Sequence, residues 1–158
     1  MSRRCSHQFW MELALFQARV AGERGEVPVG AVLVDAQDQV VAAAGNRREQ
    51  DCDPSAHAEI VVLRQAGAKR RRWHFPDCRL YVTLEPCPMC AAAICQARVG
   101  EVIYGADDPK AGAFGSVLFF PASPACFHRP RILGGIGEQA CQQLLKTWFQ
   151  QHRSTLLD

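Results

Sequence analysis

The chain has 158 residues, 48% of them hydrophobic, which excludes a disordered polypeptide and allows a sizeable core in a single domain spanning residues 1–158. No apolar run approaches the roughly 20 residues that a bilayer-spanning helix needs, and a formal net charge of +2 neither demands nor forbids nucleic acid. MSRRCSHQFW begins basic but lacks the apolar centre of a secretory signal, so the expected location is a reducing cytoplasm, with Cys5, Cys52, Cys78, Cys95, Cys126 and Cys141 as free thiols.

Phe9, Leu13, Phe16 and Val20 recur at helical spacing and predict a helix over 9–21 whose apolar face covers a sheet. Glu23-Arg24-Gly25-Glu26 reads as a polar turn. Val29 to Val34 is a near-continuous apolar run, the pattern of a strand buried on both faces. Asp35 to Asp38 turns the chain, and Val40 to Ala44 returns as the second arm of a hairpin. Gly45-Asn46 follows, where the residues alone favour a turn asparagine.

Arg47 to Pro54 is a charged loop, and Ser55 suits the N-cap of a helix carrying His57, Ile60, Leu63 and Arg64 that ends at Gly67. The run Lys69-Arg70-Arg71-Arg72-Trp73-His74 combines basic and aromatic side chains. Such a run either contacts nucleic acid or is a solvated loop. Leu80 to Leu84 is a strand and Met89 to Arg98 a helix, in which Ala91-Ala92-Ala93 permits close approach of the sheet or of a second subunit. Val99 to Tyr104 holds a short strand, and Gly105 to Gly115 is a loop too polar for a core element. Pro121 to Pro130 is irregular, with Cys126 and His128 incidental rather than ligands. Arg131 to Leu133 is a short strand, and Glu138 to Gln151 a closing helix with Leu144, Leu145, Trp148 and Phe149 as its apolar face. This order predicts an α/β fold, a mixed sheet of about five strands layered with helices as a three-layer α-β-α sandwich.

The chemistry concentrates in Pro86-Cys87-Pro88-Met89-Cys90 and, thirty residues upstream of Cys87, His57-Ala58-Glu59. Cysteines at i and i+3 share one face of a helical turn, and the prolines suit a helix start. A helix N-terminus also favours thiolate over thiol. With His57 as a third, nitrogen donor the set suits Zn²⁺ and leaves a tetrahedral corner for water, whose pKa zinc lowers toward roughly 7. Glu59 is placed to shuttle protons to and from that water without binding the metal. Residues two apart point about 200° apart on a regular helix, so His57 and Glu59 converge only if a helix starting near Ser55 puts them in its first turn.

The pairing of H-x-E with P-C-x-x-C is a signature of zinc nucleobase deaminases. Over nearly its whole length the chain resembles the bacterial tRNA-specific adenosine deaminases of the cytidine deaminase superfamily. The matching stretches are Glu26-Val27-Pro28-Val29-Gly30-Ala31-Val32, Gly45-Asn46-Arg47, His57-Ala58-Glu59-Ile60 and Thr83-Leu84-Glu85-Pro86-Cys87-Pro88-Met89-Cys90, with Gly105-Ala106 and the loop to Gly115-Ser116 similar in character. The resemblance implies a cytidine deaminase-like fold, one zinc per subunit on His57, Cys87 and Cys90, and Glu59 as catalytic proton shuttle. It implies conversion of adenosine to inosine at the wobble position of a tRNA anticodon stem-loop, by a homodimer. It also makes Asn46 a contact to the flipped base, and places Asp107, Asp108 and Lys110 in an RNA-contacting loop. Two departures from the pattern are Ser154-Thr155-Leu156-Leu157-Asp158, which lacks the usual basic tail, and the run Lys69 to Arg72, more basic than the pattern leads one to expect.

Two rivals stay open on sequence alone. One is a deaminase of a free base or nucleoside, of guanine or cytosine type, using the same metal centre. The other is a non-catalytic zinc-stabilised RNA-binding module, which would need a fourth protein ligand such as Cys95 or His74.

Overall fold

The computed structural model describes residues 6–153, so Cys5 and the Ser154–Asp158 tail lie outside the described residues. Helix α1 (His7–Glu23) opens at Ser6, whose Oγ accepts the Phe9 N–H at 3.2 Å. Its buried face is Trp10, Met11, Ala14, Leu15, Ala18 and Ala21, not the expected phenylalanine stripe: Phe9 and Phe16 are 49% and 56% exposed. The reason lies in strand β1 (Gly30–Val34), beneath the helix. A Cβ on Gly30 would stand 2.0 Å from the Ala14 carbonyl and 2.5 Å from the Ala18 nitrogen. Helix and strand therefore meet backbone against backbone, a contact that alanine permits and phenylalanine prevents.

Strand β2 (Val40–Gly45) pairs antiparallel with β1, Gly30 opposite Gly45, as the hairpin pattern predicted. One short helical turn, α2 (Arg48–Asp51), interrupts the charged loop. Helix α3 (Ala58–Arg70) runs three residues past Gly67 and stops where Arg71 turns left-handed at φ 52°. Strand β3 (Arg79–Leu84), helix α4 (Pro88–Gln96) and strand β4 (Glu101–Ala106) form a parallel crossover unit, and β5 (Arg131–Leu133) adds a parallel edge. A short 3₁₀ turn at Phe120–Ala122 precedes that edge, and α5 (Glu138–Gln151) closes the chain.

The sheet order is β2-β1-β3-β4-β5, with β1 antiparallel to both its neighbours. Ala31, Leu33, Leu80, Val82 and Val102 face α3 and α4, whereas Val32, Val34, Tyr81 and Ile103 face α1 and α5. Alternate residues of the central strands thus feed two apolar cores, which makes a three-layer α-β-α sandwich and explains why β1 reads as an unbroken apolar run. The N-termini of α3 and α4 follow strand ends on one side of this sheet, and there the site is built.

Candidate active site

Strand β3 delivers the cysteine motif. The Glu85 N–H extends the ladder to the Ala106 carbonyl at 2.8 Å; Cys87 then caps α4 in extended conformation, with Pro88 opening the helix. Pro88 has no N–H to waste at that position. Cys90 lies one turn in and is fully buried.

His57 is the N-cap residue of α3, at φ −66° and ψ 154°, so it stands outside the helix. Ser55 is not the cap: Asp53 Oδ1 accepts both its N–H at 2.8 Å and its hydroxyl at 2.7 Å. Because His57 precedes the helix, the 200° separation of a regular helix does not apply, and the imidazole turns to the cysteines. His57 Nδ1 lies 3.7 Å from Cys87 Sγ and 3.6 Å from Cys90 Sγ. Glu59 lies in the first helical turn, buried, and interacts electrostatically with His57, Cys87 and Cys90.

Among the described residues, His57, Cys87 and Cys90 form the one group of three or more possible metal donors within 4.8 Å of one another. Two thiolates and an imidazole suit zinc, and three protein donors leave one corner free. Neither Cys95 nor His74 joins the group, so the fourth ligand that a structural zinc module needs is missing among the described residues. Cys126 and His128 are engaged elsewhere: the thiol bonds to the His128 carbonyl at 3.0 Å and the imidazole to the Val99 carbonyl at 2.7 Å.

Without metal the cluster shares protons. A hydrogen bond from Cys90, then one with His57, holds Cys87 down to about 4; the same thiol–thiolate bond together with burial drives Cys90 strongly up. The hydrogen bond with Cys87 raises His57, and burial pushes the Glu59 carboxyl up to about 7.

Asn46 is buried at the end of β2. Its Oδ1 accepts the Ala58 N–H at 2.9 Å and its Nδ2 donates to the Val27 carbonyl at 3.0 Å. It supplies, from the residue just after β2, the cap that α3 lacks locally, and so fixes the backbone between His57 and Glu59. Asn46→Ala leaves the buried Ala58 N–H and the half-buried Val27 carbonyl unpaired and is expected to cost about 1–3 kcal/mol. Asn46→Asp keeps the bond from Ala58 and is expected to fall between alanine and wild type. Urea unfolding of the zinc-loaded protein checks that order.

Asp107, Asp108 and Lys110 follow β4 and line a cavity of about 590 Å³ with Leu84, Phe149 and Arg153. Asp108 Oδ1 accepts the Lys110 and Ala111 N–H groups at 3.0 and 3.2 Å, so it shapes its own loop. Asn46 is not part of that cavity's lining; Val27, whose carbonyl it holds, is. The Lys69–Arg72 run sits at the far end of α3, about 18 Å along the axis from its start at the usual rise per residue. Lys69 bonds to the Val41 carbonyl at 3.2 Å, Arg70 to Asp35 at 2.5 Å and Arg72 to Asp77 at 2.6 Å. These charges fasten α3 to its surroundings, remote from the site.

Glu85 was legible only as one letter of the cysteine motif. It is 2% exposed, and its carboxylate accepts from the Asp108, Phe114 and Ser116 N–H groups, each at 3.0 Å, and from the Ser116 hydroxyl. An acid directly before Pro-Cys, followed by a glycine- and serine-bearing loop, was the available signal.

Comparison with known proteins bears on the same residues. The model of the cytidine and deoxycytidylate deaminase zinc-binding region matches residues 4–106, which include His57, Glu59, Cys87 and Cys90. A tRNA-specific adenosine deaminase of Agrobacterium fabrum is 48% identical over 144 residues, 91% of this chain and 94% of that protein. One from Bacillus subtilis is 38% identical over 146 residues, 92% and 90% of the two chains. A solved structure from work on A-to-I editing by tRNA deaminases at the wobble position of transfer RNA superposes with a TM-score of 0.84 at 49% identity, covering 87% of this chain and 99% of that one.

Proposed function

The chain belongs to the cytidine and deoxycytidylate deaminase zinc-binding family, and from that premise we propose that it is a zinc-dependent tRNA adenosine deaminase, converting adenosine to inosine at the wobble position of an anticodon. The observation that carries the chemistry is the three-donor cluster of His57, Cys87 and Cys90 with the buried Glu59 two residues along from His57. The substrate reading rests on the relatives at 38–48% identity over nine-tenths of the chain.

His57, Cys87 and Cys90 would hold one zinc per subunit. Zinc held there supplies Lewis acidity toward a water molecule. Glu59 removes a proton from the attacking water and gives it to the ring nitrogen beside the amino-bearing carbon. It then carries the second proton to the leaving amine. The balance is adenosine plus water to inosine plus ammonia. Asn46 fixes the α3 start against Val27 and stands beside the site as the contact for the flipped base. Asp107, Asp108 and Lys110 form the RNA side. The cavity that these three share with Lys146, Phe149 and Arg153 offers cations for phosphates and a ring for stacking, which supports an anticodon stem-loop as partner.

A homodimer is supported by the apolar groove between α3 and α4, about 680 Å³ and lined in part by Ile60, Leu63, Trp73, Phe75 and Ala93. No helix among the described residues is long and apolar enough to cross a membrane, and the cytoplasm, where tRNA is found, is the proposed location.

The test is incubation of the purified, zinc-loaded protein with tRNA and with an anticodon stem-loop, beside guanine, cytidine and free adenosine. Ammonia release with the RNA substrates, and wobble adenosine then sequenced as guanosine, is the expected result. Release from a free base or nucleoside alone overturns the tRNA reading, and no release from any substrate overturns the enzyme.

A further inference from the structure

Glu85 sits two residues before Cys87 and has no part in the proton transfers. Four donors from one loop converge on its carboxylate: the Asp108 N–H and Ser116 hydroxyl at Oε2, the Phe114 and Ser116 N–H groups at Oε1. None of the ion pairs among the described residues involves it. The acceptor oxygens of this buried side chain and the loop's donors satisfy one another out of reach of water, so side chain and loop depend on each other. The packing leaves no slack, since a Cβ on Gly112 would stand 2.3 Å from Glu85 Oε2 and 2.7 Å from the Asp108 carbonyl. A further bond, from the Ala113 N–H to the Pro86 carbonyl at 2.9 Å, ties the loop's centre to the start of the cysteine motif. Ala113 and Phe114 are buried in the core between the sheet and α3–α4, while Asp107, Asp108 and Lys110 line the cavity on the loop's other limb.

We propose that Glu85 is the positioning residue that locks the 107–116 loop, and with it the RNA-facing Asp107, Asp108 and Lys110, in register with the metal site. It touches neither substrate nor metal donor; it converts a glycine-rich loop into a fixed wall by satisfying amides that otherwise demand water. The RNA-facing role of that wall rests on the tRNA deaminase reading, whereas the locking itself does not.

The test uses the zinc-loaded full chain with Glu85→Gln, which replaces one accepting oxygen by a donor, and Gly112→Ala, which displaces the carboxylate without altering its charge. Three readouts are taken: zinc per chain, hydrogen exchange at the Asp108, Phe114 and Ser116 amides, and KM and kcat on an anticodon stem-loop. Expected are full zinc occupancy, exchange at those three amides faster by about tenfold or more, and a KM raised by a similar factor with kcat changed less. If Glu85→Gln does not fold, Ser116→Ala, which removes one donor to the carboxylate and leaves the loop backbone unstrained, decides with the same exchange readout. Wild-type exchange at the three amides in the folded variants overturns the lock. A parallel loss of zinc and kcat with KM unchanged assigns Glu85 to the metal motif and overturns the role in RNA positioning. A wild-type protein inactive on RNA defeats the substrate reading instead, and the exchange data still judge the lock.

Discussion

Glutamine at position 59 is expected to leave zinc bound and to lower single-turnover inosine formation by about 10²- to 10⁴-fold, the usual worth of a positioned general acid–base group. Glu59→Gln preserves shape in a pocket where the native side chain is 4% exposed, so the fold has little reason to respond. His57, Cys87 and Cys90 cluster without Glu59, so metal content has none either. What glutamine cannot do is take a proton from water, and both proton transfers in the proposed reaction pass through this one carboxyl. Zinc stoichiometry measured beside the single-turnover rate separates this outcome from metal loss. A rate within a few-fold of wild type removes Glu59 from the mechanism.

The second large effect is on the metal. Zinc needs a neutral imidazole and two thiolates, whereas the metal-free cluster retains protons: the hydrogen bond with Cys87 raises both His57 and Cys90. The metal-free state therefore binds more protons than the loaded one. Affinity rises with pH and falls on acidification, by about tenfold per pH unit for each proton displaced. Competition against a chromophoric chelator across two units near neutrality is expected to show about a hundredfold weakening per displaced proton. A flat profile contradicts the assigned donors. Cys90→Ala removes the fully buried donor and is expected to abolish stoichiometric zinc, leaving a melting temperature that chelator no longer lowers, while the wild-type value drops on chelation.

The basic run and the first helix show where reading from residues fails. Lys69 to Arg72 read as a loop run, yet the tertiary structure puts Lys69 and Arg70 in the last turn of α3 and brings Val41, Asp35 and Asp77 to Lys69, Arg70 and Arg72. The phenylalanines of α1 outrank its alanines on any hydrophobic scale, yet close backbone approach at Gly30 gives the buried face to alanine. Side-chain size and charge are local properties; which of them is used depends on what lies opposite.

By itself the sequence determined the chemistry: an H-x-E and a P-C-x-x-C with the donor types and the i, i+3 spacing of one metal, and five apolar runs whose alternation with helical segments left a layered α/β sheet as the solution. Those signals survive because they are short-range, fixed by helix pitch, strand period and the preferences of proline. Only the tertiary structure decided that His57 stands before its helix rather than in it, that Asn46 caps that helix from twelve residues before Ala58, and that Glu85 gathers a loop reaching 31 residues downstream. The last two are hydrogen bonds between groups distant along the chain, and no local pattern records which buried carboxylate or amide a distant N–H will find, because that choice is made by how the layers pack.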